Sequence, residues 1–160
     1  MTASPPPDRG AATPSPSISW SDPVRAQAFA QWLDTVGPRH RLMPSTLRPA
    51  SADASFRRYF RIDTRDAPGT RIVMDAPPAQ ENSAPFVQVA RLMRDAGLVA
   101  PQVLEWDEAH GFLLLDDLGR ETMLDVIDPG NAEAALPLYT QAVDALIRWQ
   151  LASRPQVLPP

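Results

Sequence analysis

The stretch Gly111-Phe112-Leu113-Leu114-Leu115-Asp116-Asp117-Leu118-Gly119 constrains the chain more than any other. Four consecutive apolar residues between turn residues predict a buried strand, and the strand stops abruptly at two carboxylates and a glycine. A buried strand that opens into a short polar link leaves backbone C=O and N–H groups facing a crevice, where they need partners. Such groups can read the edge of a flat heterocycle such as adenine. A core strand ending in a solvated turn fits the same residues.

The rest of the chain supplies a lobe for that strand. Asp22-Pro23 is a helix start, a capping carboxylate followed by proline at the first helical position. Phe29, Trp32, Leu33 and Val36 then share one face, and Gly37 ends the run: a docking helix with no chemistry assigned to it. Leu47-Arg48-Pro49 reads as a short strand and 50–55 as a loop of small residues. Phe56 to Thr64 alternates, with Phe56, Arg58, Phe60 and Ile62 on one face and Arg57, Tyr59, Arg61 and Asp63 on the other. Asp66-Ala67-Pro68-Gly69 is a turn, and Thr70 to Asp75 returns as a third strand with Ile72 and Met74 opposite Arg71, Val73 and Asp75.

Pro77-Pro78 breaks the chain. Ser83 caps the next helix, Pro85 lies in its first turn, and Phe86, Val89, Ala90 and Met93 form its buried stripe up to Gly97. Gln102 to Trp106 and Phe112 to Leu115 are the fourth and fifth strands around a turn at 107–111. Strand, strand, strand, helix, strand, strand makes an α+β lobe with one helix packed on an antiparallel sheet. A short helix at 121–127 and a turn at Asp128-Pro129-Gly130-Asn131 lead to the longest helix, 132–151. Its apolar face, with Ala135, Leu138, Tyr139, Ala142, Val143, Leu146 and Gln150 near it, is wider than the small lobe requires.

Composition narrows the function classes. The 160 residues include no cysteine, which excludes disulfides, thiolate metal sites and a thiol nucleophile. The net charge of −4 provides no bulk field for nucleic acid or an anionic membrane. No apolar run approaches the roughly 20 residues of a membrane span, and the N-terminus lacks a secretory pattern, so a cytoplasmic protein is expected. Residues 1–20, with prolines at 5, 6, 7, 14 and 16, read as a disordered proline-rich arm. A nucleic-acid surface on Arg57, Arg58, Tyr59 and Arg61 ranks last, because Asp53 and Asp63 flank it.

The element order, together with Asp53-Ala54-Ser55-Phe56-Arg57-Arg58-Tyr59-Phe60-Arg61, Val73-Met74-Asp75-Ala76-Pro77-Pro78 and Phe112 to Gly119, resembles the aminoglycoside phosphotransferase family. Within that family it is similar to the bacterial branch of anomeric amino-sugar kinases of cell-wall recycling. The resemblance implies a protein-kinase-like N-lobe at 21–115, a five-stranded antiparallel sheet plus one packed helix. A hinge and the first helices of a truncated C-lobe would follow at 116–160. It implies ATP and magnesium as cofactors, with the catalytic Asp and the magnesium ligands in the missing C-lobe. The substrate would be an amino sugar of the N-acetylmuramate or N-acetylglucosamine type, with no catalytic or metal residue in this chain.

The nucleotide-binding residues it implies are Ala52, Asp53, Ala54 and Ser55 over the phosphates, Val73 against adenine, and Asp116 C=O with Leu118 N–H at the adenine edge. The phosphate-binding lysine of a kinase third strand falls at Asp75, and all 15 basic residues are arginine. Arg57, Arg58 and Arg71 are the candidate replacements, with Arg58 preferred because it follows the loop; Arg58 also fits an arginine snorkelling from a partly buried face. Glu81 lies near the place of the glutamate that orients that lysine, its role open. Asp116 and Asp117 fit a solvated turn better than a metal pair. A non-catalytic N-lobe serving as a binding or regulatory module is the alternative function.

Overall fold

The apolar run at 112–115 forms an interior strand of a sheet whose two faces are both covered. The computed structural model describes residues 18–52, 56–66 and 69–153. In it β1 (Leu42–Ala52), β2 (Arg58–Thr64), β3 (Thr70–Asp75), β4 (Val103–Asp107) and β5 (Phe112–Asp116) form one five-stranded sheet in the order β1-β2-β3-β5-β4. Every neighbouring pair is antiparallel. Side chains alternate between faces along a strand, so β5 sends Phe112 and Leu114 one way and Leu113 and Leu115 the other. An uninterrupted apolar run is what a strand with no solvent-facing side requires.

The first face is covered by α1 (Pro23–Val36). The Asp22 carboxylate accepts from Val24 N–H at 2.8 Å, as the Asp-Pro start predicts. Phe29, Leu33 and Val36 then pack with Leu42, Phe60, Ile62, Val73, Phe112 and Leu114. Phe29 meets Phe112 edge-on, ring centroids 5.3 Å apart, a favoured aromatic geometry.

The second face carries α2 (Ala84–Asp95). Phe86 and Val87 pack beside Met74, Ala76, Leu113 and Leu115, with Tyr59, Ile72, Val103 and Trp106 around them. Ala90 is buried too, so Phe86 and Ala90 of the expected stripe pack on the sheet, joined by Val87. Ser83 stands at the N-cap without a capping bond; its hydroxyl accepts from Trp106 Nε1 at 3.1 Å, and Asn82 caps Ala84 N–H instead. The far end closes with Leu98 N–H on Met93 C=O and Gly97 N–H on Arg94 C=O, a Schellman pattern that needs the positive φ of Gly97 (74°).

Two expectations change. β1 is an eleven-residue strand rather than Leu47 to Pro49, and Ala50, Ser51 and Ala52 belong to it rather than to a loop. Register shifts after Met43 and after Pro49 break the alternation by which a strand is recognised, and Pro44 and Pro49 are tolerated because β1 is a sheet edge. β2 starts at Arg58, leaving Phe56 exposed ahead of it. Beyond β5, α3 (Met123–Val126) is held by a capping box between Thr122 and Asp125. The long helix α4 (Ala132–Ala152) buries Ala135 and exposes Leu136, Tyr139, Val143, Leu146 and Ile147.

Candidate functional site

Where β5 ends, the sheet face that carries α2 opens into a cavity of about 300 Å³. Tyr59, Ile72 and Leu115 come from the sheet, Phe86 from α2, and Asp116 to Gly119 form the link. The walls are apolar and aromatic, and one side is exposed peptide: the shape and chemistry of a site for a planar ligand. Leu118 N–H has no hydrogen-bond partner among the described residues, and its side chain is half exposed. Asp116 is anchored from the β4 side, its N–H on Gln102 C=O at 3.1 Å and its carboxylate on Gln102 N–H at 2.7 Å.

The link is pinned by Asp117. Arg61 of β2 donates to both Asp117 oxygens, the Nη2–Oδ1 contact being 3.0 Å, and Nη2 also reaches Gly119 C=O at 3.0 Å. Thr70 Oγ1 donates to Asp117 Oδ2 at 2.6 Å, and Gly119 N–H to Oδ1 at 3.0 Å. The Arg61 guanidinium, followed by the Thr70 hydroxyl and the Gly119 N–H, holds the Asp117 carboxyl well below the usual carboxylate range against the opposing effect of burial. Asp117 in return raises the Arg61 pKa. Asp117 is therefore buried and ion-paired, not part of a solvated turn; a partner 56 residues away in sequence supplies the charge.

A second buried carboxylate stands at the position expected of the lysine. Asp75, at the end of β3, is wholly buried on the α1 face. Arg25 of α1 and Arg58 of β2 both donate to it, Arg25 Nε at 2.8 Å and Arg58 Nε at 2.9 Å. Arg58 further stacks over Trp20, 4.0 Å from its ring centroid, and donates to Ser19 C=O.

The expected nucleotide residues therefore divide. Asp116 and Leu118 line the cavity. Ala52 pairs with Arg58 at the end of β1, while Asp53, Ala54 and Ser55 lie outside the described residues. Val73 and Arg58 stand across the sheet from the cavity, Val73 packed under α1 and Arg58 bound to Asp75. Ile72 takes the place against the cavity that Val73 was expected to fill. Tyr59, Arg61, Ile72, Phe86 and Asp117 line the cavity beyond the expected set; alternation along β2 and β3 is the signal that puts Tyr59, Arg61 and Ile72 on one face. Among the described residues no three His, Cys, Asp or Glu side chains gather to hold a metal ion, and Asp116 and Asp117 are committed to the contacts above.

A five-stranded antiparallel sheet with α2 across one face and a cavity on that face beside the outgoing link is the small lobe of a kinase-like fold. The model of the phosphotransferase enzyme family (APH) matches residues 46–160, and the chain belongs to that family. It is 47% identical over 146 residues to an N-acetylmuramate/N-acetylglucosamine kinase of Pseudomonas aeruginosa, covering 87% of this chain and 42% of the relative. Kinases of the same name from Pseudomonas putida and Neisseria meningitidis are 40% and 41% identical, over 79% and 80% of this chain and 38% and 37% of theirs. The chain thus spans about two fifths of the length of the curated relatives it matches. No helix among the described residues is long and apolar enough to cross a membrane.

Proposed function

We propose that this chain is the nucleotide-binding part of an ATP-dependent kinase that phosphorylates an amino sugar of the N-acetylmuramate or N-acetylglucosamine type at its anomeric hydroxyl. The observation that carries the reading is the cavity against Leu118, where an unbonded N–H borders an apolar slot floored by the paired residues Ile72 and Leu115. Adenine would lie in that slot and accept from Leu118 N–H, with Tyr59 and Phe86 along its length. The similarity to kinases of that substrate name supports the choice of sugar. Residues from 116 onward are read as the hinge and the first helices of a second lobe, whose remainder would cover the apolar face of α4. Magnesium enters as the ion that accompanies ATP in phosphoryl transfer. Its ligands would come from outside the described residues, among which no three His, Cys, Asp or Glu side chains gather. The cytoplasm, where ATP is held, is the compartment this reading assigns.

Thermal unfolding with and without ATP and magnesium tests the site. A ligand at 100 times its Kd adds about 2.7 kcal/mol to stability, which is read as a raised Tm. Incubating the complete polypeptide with N-acetylmuramate and ATP then tests the reaction: product formation consumes the sugar's reducing end. An unchanged Tm in millimolar ATP refutes the site, and a raised Tm with no sugar consumed refutes the acceptor.

A further inference from the structure

We propose that Arg57, braced by Glu81, is the cation that binds the α- and β-phosphates of the nucleotide, in place of a lysine on the third strand. This rests on the nucleotide reading of the cavity and adds the identity of its phosphate ligand.

β3 has no cation to offer the cavity. The residues it turns toward α2 are Ile72 and Met74, and its terminal Asp75 is buried on the opposite face under two arginines. That pairing also removes Arg58 from contention. Arg61 shares the cavity's face but is consumed by Asp117 at the link end, both side chains being no more than 10% exposed.

Arg57 immediately precedes β2 and is two residues from Tyr59, a wall of the cavity. Its guanidinium lies 5.7 Å from the ring centroid of Phe86, which also lines the cavity. Glu81, in the lead-in to α2, accepts from Arg57 Nε at 3.3 Å and Nη2 at 3.2 Å on the single oxygen Oε2. Contacts that long are looser than the 2.7–2.9 Å of a strong charge-assisted pair. Both side chains keep some exposure, 26% and 17%, so an anion can approach. A cation of the sheet lobe held by a glutamate beside the packed helix is the arrangement by which kinases hold the phosphates; here the residue leading into β2 replaces one on β3. Four residues of strand, about 13 Å at about 3.3 Å each, separate Arg57 from the Arg61 end. The base would therefore sit at one end of the slot and the phosphates at the other. The guanidinium fork suits phosphate oxygens, which a lysine would meet as a point charge.

Titration calorimetry with adenosine and with ADP, on the complete polypeptide and on Arg57→Gln, Arg57→Lys and Glu81→Gln, isolates the phosphate contribution as the ratio of the two dissociation constants. Wild type should bind ADP more tightly than adenosine. Arg57→Gln should weaken ADP about tenfold or more, the worth of one charged contact, with adenosine unchanged. Arg57→Lys should keep part of the ratio. Glu81→Gln should weaken ADP less than Arg57→Gln does, and add nothing in the double variant, since Glu81 acts through Arg57. An unchanged ADP-to-adenosine ratio in Arg57→Gln overturns the proposal, and so does an equal loss of both ligands, the mark of a mere tether for α2. Wild type binding neither ligand defeats the site reading itself and this inference with it; the other two failures leave the site standing.

Discussion

Arg61 and Asp117 form a two-pronged ion pair that ties the middle of β2 to the link after β5. Their side chains are 10% and 6% exposed, so neither charge can turn to water if the other is removed. The pair therefore sets where Leu118 and Gly119 stand, because Asp117 also binds Gly119 N–H and Arg61 binds Gly119 C=O.

Truncating either partner should be costly and the two losses should not add. Arg61→Ala and Asp117→Ala each leave one buried charge unpaired, and each should lower stability by about 3 kcal/mol. The double variant Arg61→Ala with Asp117→Ala should lose less than the sum. Urea unfolding of the three proteins measures the coupling, and simple additivity would mean that the contact contributes little.

The same pair carries a pH dependence. Folding lowers the Asp117 pKa, so the stabilisation is complete above the unfolded carboxyl pKa of about 3.9 and is lost as pH falls toward the depressed folded value. The Tm advantage of wild type over Asp117→Asn should hold near neutrality and shrink steadily below about pH 4. An advantage that stays constant down to pH 2 would show that the carboxylate charge does not matter.

The parts of this structure that sequence reveals are those in which local pattern and tertiary demand agree. α1 has its cap, its proline and its apolar stripe in consecutive residues, and β3 and β5 have the lengths that alternation and apolar continuity suggest. β1 is obscured because bulges reset its alternation. At the site, Asp116 and Leu118 are legible because the strand visibly stops there. The Arg61–Asp117 pair is not, since it is a contact between distant segments with no spacing to betray it. Val73 holds the place of the small apolar residue that packs on adenine in a kinase, but it shares a face with Asp75, two residues on, where Arg25 and Arg58 neutralise that carboxylate, and so it packs under α1.

Two glycines with nearly equal φ should respond differently to alanine. Gly97 (φ 74°) has open space where a Cβ would go, so Gly97→Ala should cost only the left-handed backbone penalty, about 1–2 kcal/mol. Gly111 (φ 70°) would place its Cβ 1.9 Å from Ala76 C=O, in a turn where Gly111 C=O accepts from Ala76 N–H at 2.8 Å. Gly111→Ala should therefore exceed Gly97→Ala by at least about 2 kcal/mol, the scale of overpacking. Thermal unfolding of the two variants decides it, equal losses counting against the close approach.

Restoring the kinase lysine at position 75 should fail on both counts that matter. The side chain there points under α1, where Arg25 and Arg58 already supply two positive charges to one carboxylate. Asp75→Lys would bring three cations together in a wholly buried place, and should lower stability by more than the 3–5 kcal/mol of a broken buried pair. Asp75→Asn keeps the shape, removes the negative charge and should cost less. Neither change places a cation in the cavity, which β3 meets through Ile72. In any Asp75→Lys protein that still folds, ADP affinity should not rise above that of wild type. Tighter ADP binding by Asp75→Lys would mean that residue 75 does reach the phosphates, and that the face assigned to it is wrong.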